Sequence, residues 1–107
     1  MKNLQRIGVI ILLVFALGPR ALGQSEHNVR PRAGIVPDQV TAIRIAEAVL
    51  IPIYGQEQIK AERPFTAKLN TNTWIVMGYI PPGVDGGVAE VWIDKRDGKI
   101  LRVTHGK

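Results

Sequence analysis

The side chains that could carry out acid–base, nucleophilic or metal chemistry are few and lie far apart in this sequence. His27 and His105 are its two histidines, and it contains no cysteine. A catalytic or metal site needs several such groups at a suitable spacing. No Ser–His–Asp set, histidine pair or carboxylate pair with a common site can be recognised. The sequence therefore predicts a protein that is not an enzyme and that uses no metal and no cofactor.

Three further features invite a chemical interpretation, but each fits a structural role better. Residues 94–98 (DKRDG) lack the alternating ligands and the distal glutamate of a calcium loop, so a turn is predicted. Residues 83–87 (GVDGG) lead into a strand rather than into the helix N-terminus that binds phosphate. Glu47 has no catalytic partner at a suitable spacing. It is predicted to form an ion pair with Arg44 or with a strand residue.

Four residues near the C-terminus are candidates for binding another protein. Residues 88–94 and 99–104 have the composition of two strands, joined by a tight turn at 95–98. The candidates share or adjoin one face of this hairpin, and they are Trp92, Ile100, Arg102 and His105. Tryptophan and arginine are frequent anchors of protein interfaces. The alternative is that Trp92 covers the outer side of the sheet over Gly78.

The register of this hairpin follows from its turn. If Gly98 takes the left-handed position after a type I turn, Lys95 faces Lys99. Counting back along the strands then gives the pairs Ile93–Leu101, Trp92–Arg102 and Val91–Val103. The second pair would be a cation–π contact. The other two pairs, with Ala89, form an apolar face that is predicted to meet a helix.

That helix is predicted over residues 38–55. Only Arg44 and Glu47 interrupt its apolar run between positions 42 and 51. A helix that is apolar nearly all round must be covered on most sides. Asp38 is predicted to cap it, and Pro52 is predicted to stop or kink it. Residues 56–61 are predicted to add one helical turn, with Ile59 as its buried anchor.

From residue 64 the hydrophobic period changes to two, which is typical of strands. Residues 65–69 alternate, residues 70–72 have turn chemistry, and residues 73–80 are apolar on both faces, as in a central strand. Residues 81–87 form a loop before the hairpin. The fold class is therefore α+β: an apolar helix packed against a curved antiparallel sheet of about four strands, reduced and cone-like.

The N-terminus has the pattern of an export signal. Residues 1–23 combine Lys2 and Arg6 ahead of an apolar run at 7–17 with small residues before a predicted cleavage near Gly23–Gln24. The run is shorter than the roughly 20 residues that span a bilayer. Residues 24–37 are predicted to be a flexible lead, tethered at Ile35 and Val36. The expected location is the periplasm or the outside of a bacterial cell, with the signal peptide as its sole membrane element.

The charge of the chain does not favour nucleic acid as a partner. The formal charge of +5 includes three basic residues of the predicted signal peptide. The mature chain would carry 11 basic and 9 acidic groups, since 14 minus 3 is 11. These are interspersed, without the basic block that follows a phosphate backbone.

Residues 38–107 closely resemble the small bacterial immunity proteins that have a nuclear-transport-factor-like fold. The shared pattern is an ordered set of short motifs: Tyr54-Gly55, Pro64-Phe65, Trp74 with Val76, Gly86-Gly87, Asp97-Gly98-Lys99 and His105-Gly106-Lys107. The resemblance implies a cone-shaped α+β fold and a non-catalytic protein that binds and neutralises a cognate toxin. With the predicted export, it implies a toxin that acts in the envelope, unless the family's role does not extend to this chain.

Two other functions are kept as alternatives. Residues 91–103 (VWIDKRDGKILRV) also resemble the hairpin of PepSY-type propeptide domains, which are exported modules that bind or inhibit proteases. A small-ligand-binding protein of cone-shaped fold would need a polar cluster inside the cone. The apolar helix and the short chain argue against a roomy pocket.

Overall fold

Residues 27–106, the part of the chain that the computed structural model describes, form a helical layer on an antiparallel sheet. The elements in chain order are α1 (Gln39–Tyr54), α2 (Gln56–Ala61), β1 (Thr66–Asn70), β2 (Thr73–Met77), β3 (Ala89–Asp94) and β4 (Ile100–His105). The strands lie side by side in the order β1-β2-β3-β4. This confirms the α+β class and the helix on a four-stranded antiparallel sheet. The predicted signal peptide lies outside the described residues.

Helix α1 begins and ends within a residue of the predicted range, 38–55, but it does not stop at Pro52. The Asp38 carboxylate accepts a hydrogen bond from the Thr41 N–H at 2.9 Å and so caps the helix. The helix runs through Pro52 to Tyr54, so the prediction that it could stop at Pro52 is wrong. Proline removes one donor, but Ile51 and Tyr54 pack against the core and hold the last turn. Gly55, with φ of 98°, ends the helix.

One side of α1 is covered by the sheet. Ala42, Ala46 and Leu50 are fully buried, whereas Val40 and Ile53 are 57% and 56% exposed. The prediction that the helix must be covered on most sides is therefore wrong for residues 27–106. The four short strands cover only one face of the helix. No helix in this part of the chain has the length and apolar character needed to cross a membrane.

Glu47 forms the predicted ion pair with a different residue. Its Oε1 lies 2.6 Å from the Nη2 of Arg63, in the segment before β1. Among residues 27–106, Glu47 forms no ion pair with Arg44 or with a strand residue. The predicted turn at residues 56–61 is confirmed as α2, with Ile59 fully buried. The Glu47–Arg63 pair therefore links α1 to the chain that leaves α2.

Strand β2 is central, as predicted, but it ends at Met77 instead of residue 80. The Gly78 N–H still donates to the Ala89 carbonyl at 2.9 Å. The Tyr79 N–H turns away and donates to the carbonyl of Glu62 at 2.7 Å. The Tyr79 N–H, which would donate to β3 in a longer strand, is thus hydrogen-bonded to the end of α2.

The β3–β4 register is confirmed at Val91–Val103 and Trp92–Arg102 and is wrong nearer the turn. Ile93 pairs with Ile100, and not with Leu101, because the register shifts by one residue between Trp92 and Ile93. The turn itself is one residue wider than predicted. The Asp94 N–H donates to the Lys99 carbonyl at 2.8 Å, so Lys95 does not face Lys99.

The wider turn has a local cause. The Asp94 carboxylate accepts a hydrogen bond from the Arg96 N–H at 2.8 Å, a side-chain turn that competes with tighter backbone pairing. Leu101 then becomes the extra residue of a bulge and is 45% exposed, whereas the prediction placed it against the helix.

Residues before α1 contribute to the core. Val36 is fully buried, and its carbonyl accepts a hydrogen bond from the Trp74 Nε1–H at 2.8 Å. The Ile35 and Val36 N–H groups donate to the carbonyls of Arg96 and Lys95, each at 3.0 Å. The segment predicted to act as a tether thus lies along the β3–β4 turn. The boundary of the domain at residue 38 stays a prediction.

We expect Trp74→Phe to release this segment. The substitution leaves the buried Val36 carbonyl without its donor, which costs about 2 kcal/mol of unfolding free energy. Amide hydrogen exchange should become faster at Ile35 and Val36. Trp92→Phe is the matched control, because Trp92 does not contact the segment through its indole N–H. Unchanged exchange at Val36 in Trp74→Phe would contradict this interpretation.

Candidate protein-binding face

The sheet register places four side chains in one row on the face that points away from α1. Lys68 pairs with Ile75, Ile75 with Trp92, and Trp92 with Arg102. Side chains alternate between the two faces of a sheet. Because the strand neighbours of this row, such as Val76 and Val91, are fully buried, the row lies on the opposite, outer face. We call it the outer row.

Trp92 is held on this face from two sides. The guanidinium carbon of Arg102 lies 5.1 Å from the centre of its ring, which confirms the predicted cation–π contact. Its Nε1–H donates to the Glu90 carboxylate at 2.5 Å. The ring remains half-buried. It does not lie over Gly78, because Gly78 is on the core side, where an added Cβ would lie 2.5 Å from Glu62 Oε1.

The structure separates the other two predicted site residues from Trp92 and Arg102. Ile100 pairs with the buried Ile93 and packs against the core, because the bulge at Leu101 reverses its direction. His105 pairs with the fully buried Ala89 and therefore also lies on the core side. The prediction that all four residues share or adjoin one face is wrong for these two.

Glu62, which the sequence did not single out, has the most buried carboxylate among residues 27–106, at 5% exposure. Its Oε1 accepts the Ala89 N–H at 2.7 Å. Its Oε2 accepts the Gln58 side-chain N–H at 2.8 Å and lies 2.7 Å from His105 Nε2. One carboxylate thus joins the end of α2 to the start of β3 and the end of β4.

A signal for this buried glutamate is present in the sequence. Gly78 follows a strand that is otherwise apolar, and glycine at such a position often marks a close approach by another group. The group here is the side chain of Glu62. The strand pattern alone does not say which side chain fills the space.

The hydrogen bonds set the protonation states of this pair. Burial raises the pKa of the Glu62 carboxyl, but the bonds from the Ala89 N–H, Gln58 and His105 together bring its pKa below the ordinary value of 4.5. The bond to Glu62, and then the bond to the Gly106 carbonyl, raise the pKa of His105 above its ordinary 6.5. The charged pair is therefore the favoured state.

Both ring nitrogens of His105 are engaged within the protein. His105 Nδ1 lies 2.8 Å from the Gly106 carbonyl oxygen, and Nε2 lies 2.7 Å from the Glu62 carboxylate. Both partners accept hydrogen bonds, so the doubly protonated ring can satisfy both at once. The Tyr54 ring packs 5.1 Å from the imidazole. The arrangement suits a structural clamp between elements.

The surroundings of Glu62 and His105 include an open cavity, and the polar atoms of the pair are already engaged. Residues 27–106 contain no group of three or more His, Cys, Asp or Glu side chains that could hold a metal ion. An open cavity of about 390 Å³ lies beside Glu62 and His105, lined also by residues 79–81 and 84–87. The polar atoms of Glu62 and His105 are already hydrogen-bonded to protein groups. His27 is exposed.

We expect the Glu62–His105 pair to make stability depend on pH. The raised pKa of His105 gives a contribution that is full below pH 6.5 and is lost as the pH rises through the folded-state value. The lowered pKa of Glu62 gives a contribution that is full above pH 4.5 and is lost as the pH falls. The melting temperature of the wild type should exceed that of His105→Gln most between these values. A difference that stays constant from about pH 5 to pH 9 would contradict the charged pair.

Comparisons with known proteins agree with this architecture. The family model described as NTF2 fold immunity protein matches residues 41–107. The uncharacterized protein YhhH of Escherichia coli (strain K12) is 35% identical over 85 residues, which cover 78% of this chain and 65% of that protein. The uncharacterized protein YbbC of the same strain is 32% identical over 73 residues, which cover 67% of this chain and 60% of that protein.

The matches differ in how much of each protein they cover. The chain spans less than two thirds of the length of both E. coli relatives. No solved structure matches the chain significantly. The family match, in contrast, includes α1 from Thr41 onward and all four strands. Because the match extends over more than half of its residues, the chain belongs to the family of NTF2-fold immunity proteins.

Proposed function

We propose that this protein is an exported immunity protein that binds and neutralises a cognate bacterial toxin. The observation that carries the proposal is the family match over residues 41–107. A family of immunity proteins implies a toxin-neutralising role and a protein partner. The proposal also includes the contact surface, which we assign to the outer face of the sheet around Trp92 and Arg102.

The geometry of Trp92 supports this choice of surface. Tryptophan and arginine dominate the energetics of many interfaces. Arg102 and Glu90 already fix the indole ring, so its binding would cost little additional side-chain ordering. Met77 lies two residues beyond Ile75 on the same face and is 39% exposed. An apolar centre with a fixed aromatic ring is a suitable surface for a protein partner.

The proposed mechanism is stoichiometric binding without catalysis. The Glu62–His105 pair, which has groups suited to acid–base chemistry, is engaged in bonds within the protein. Binding of the outer face would occlude a part of the toxin that its activity requires. A proteinaceous inhibitor of this kind needs one copy for each toxin molecule.

Export is the second part of the proposal. The basic residues at the N-terminus, the apolar run at residues 7–17 and the small residues before Gln24 support a cleaved signal peptide. An exported immunity protein would protect against a toxin that acts in the cell envelope. Fractionation of cells that express the full chain tests this. We expect the protein in the periplasm or the medium, starting at Gln24, whereas an intact N-terminus in the cytoplasm would contradict export.

The toxin-neutralising role is tested by capture followed by a growth assay. Tagged protein retains its partner from the envelope fraction of its native host, and the partner is then produced in the periplasm of a sensitive strain. We expect growth arrest that is relieved when this chain is produced together with the partner. A retained protease that the chain inhibits would favour the PepSY-like alternative. Stabilisation by a small molecule, with no protein retained, would favour a ligand-binding protein.

A further inference from the structure

We propose that the outer row takes an acidic protein surface, in which carboxylates flank an apolar centre. This inference rests on the proposed function and specifies the chemistry of the toxin surface that the sheet contacts. The row runs across all four strands, from Lys68 on β1 to Arg102 on β4. Its two ends are cationic and its middle is apolar.

The apolar middle consists of neighbouring side chains on the central strands. Ile75 and Trp92 are direct cross-strand partners and are both half-buried. Met77 lies beside them in the next row and pairs with Glu90. Such a centre needs an aliphatic or aromatic counterpart, since its burial is the main favourable term at a flat interface.

The acidic groups of this face are already committed within the protein. The Glu90 carboxylate accepts the hydrogen bond of the Trp92 indole. Asp94 forms a salt bridge of 3.0 Å with Arg96 and also accepts the Arg96 N–H. Glu90 keeps its negative charge but is directed to the indole of Trp92, and the charge of Asp94 is balanced by Arg96, so the two ends of the row at Lys68 and Arg102 carry the unbalanced positive charge of this face.

The cationic groups, in contrast, stay available to a partner. Lys68 and Arg102 are both exposed. Within residues 27–106 the ion pairs join other residues, namely Arg63–Glu47, Arg96–Asp94 and His105–Glu62. The backbones of the two cations are separated by three strand spacings, or about 14 Å. A partner with carboxylates on both sides of an apolar group would match this spacing.

The charges argue against two other occupants of the face. Two sheets pack face to face with their strands nearly aligned. A second copy of this chain would then place the cationic ends of one outer row near those of the other. A phosphate-binding cleft of a nuclease toxin is itself basic, so it would also be repelled. The toxin surface that the outer row contacts is therefore acidic, and the part of the toxin that binding occludes is not a basic phosphate-binding cleft.

Charge reversal tests the inference with the toxin that the wild type neutralises as the probe. We expect Lys68→Glu and Arg102→Glu each to weaken its binding about tenfold, and the double variant about a hundredfold. Arg44→Glu and Lys60→Glu are matched controls on the exposed sides of α1 and α2, with a change below about threefold. Raising the salt concentration should weaken wild-type binding and strengthen the binding of the double variant, because salt screens an attraction in the first and a repulsion in the second.

The outcomes separate this inference from the proposed function. If the wild type neutralises no captured protein, the proposed function fails. If the wild type neutralises a toxin but the double variant binds it within about threefold, only the acidic partner surface is wrong. The inference would also be overturned if the wild type self-associates in sedimentation experiments and the charge-reversed variants do not. Should a glutamate variant fail to fold, the double variant with Lys68→Gln and Arg102→Gln supplies the same comparison, with an expected loss of about tenfold.

Discussion

Replacing Glu62 with alanine is expected to lower the free energy of unfolding by about 3 kcal/mol, a large share of the total for a domain of this size. The substitution leaves the buried Ala89 N–H without an acceptor. It also removes the partner of Gln58 and of His105. A buried donor that loses its acceptor bears the full cost of desolvation. Urea denaturation measures the loss.

The control for this experiment is on α2, the helix that Glu62 follows. Glu57 is exposed and in the first turn of α2, so Glu57→Ala should change the stability by less than about 0.5 kcal/mol. Glu62→Gln should fall between the two, because its amide oxygen can still accept the Ala89 N–H. A Glu62→Ala variant as stable as Glu57→Ala would show that this carboxylate does not organise the end of the fold.

Replacing Trp92 with alanine is expected to weaken toxin binding by about thirtyfold or more, as for a typical interface anchor. The ring lies on the outer face, where its removal opens no cavity in the core. The melting temperature should therefore fall only slightly. Titration calorimetry and thermal unfolding of the same preparations measure both effects.

Ile100→Ala is the matched control for Trp92. Ile100 packs against the core through the face that meets α1. Its truncation should lower the stability by about 2 kcal/mol and leave the affinity of the folded protein unchanged. The reverse result, with binding lost in Ile100→Ala and kept in Trp92→Ala, would show that the toxin does not bind the outer face of the sheet.

The fold was largely predictable because its elements have strong local signals. The apolar run of α1, the cap at Asp38 and the change of period near residue 64 each come from short-range patterns. Pairings that follow by alternation, such as Trp92–Arg102, were also correct. Local preferences agree with the tertiary structure in these segments.

The errors occurred where a side chain competes with the backbone. The Asp94 carboxylate widened the β3–β4 turn, and the bulge at Leu101 then moved Ile100 to the core side. A shift of one residue reverses the face of every later side chain until a bulge compensates it. That is why Arg102 was placed correctly although Ile100 was not.

The Glu62 cluster was not predictable, for a different reason. Its members come from α2, β3 and β4, and no periodicity relates them. Their contact depends on how the chain between residues 78 and 88 returns to the sheet. The extent to which α1 is buried was also overestimated from its composition. Ile43, Ile45 and Ile51 are only partly buried and pack against the edge of the core.

Oxidative footprinting of the complex with the neutralised toxin tests the central claim most directly. The claim predicts that Trp92 and Met77, the oxidisable side chains of the outer face, react several-fold more slowly when the toxin is bound. Tyr79, which is exposed in the loop after β2, should react at the same rate. Unchanged oxidation of Trp92 and Met77 in a complex that neutralises the toxin would show that the protein binds through another surface.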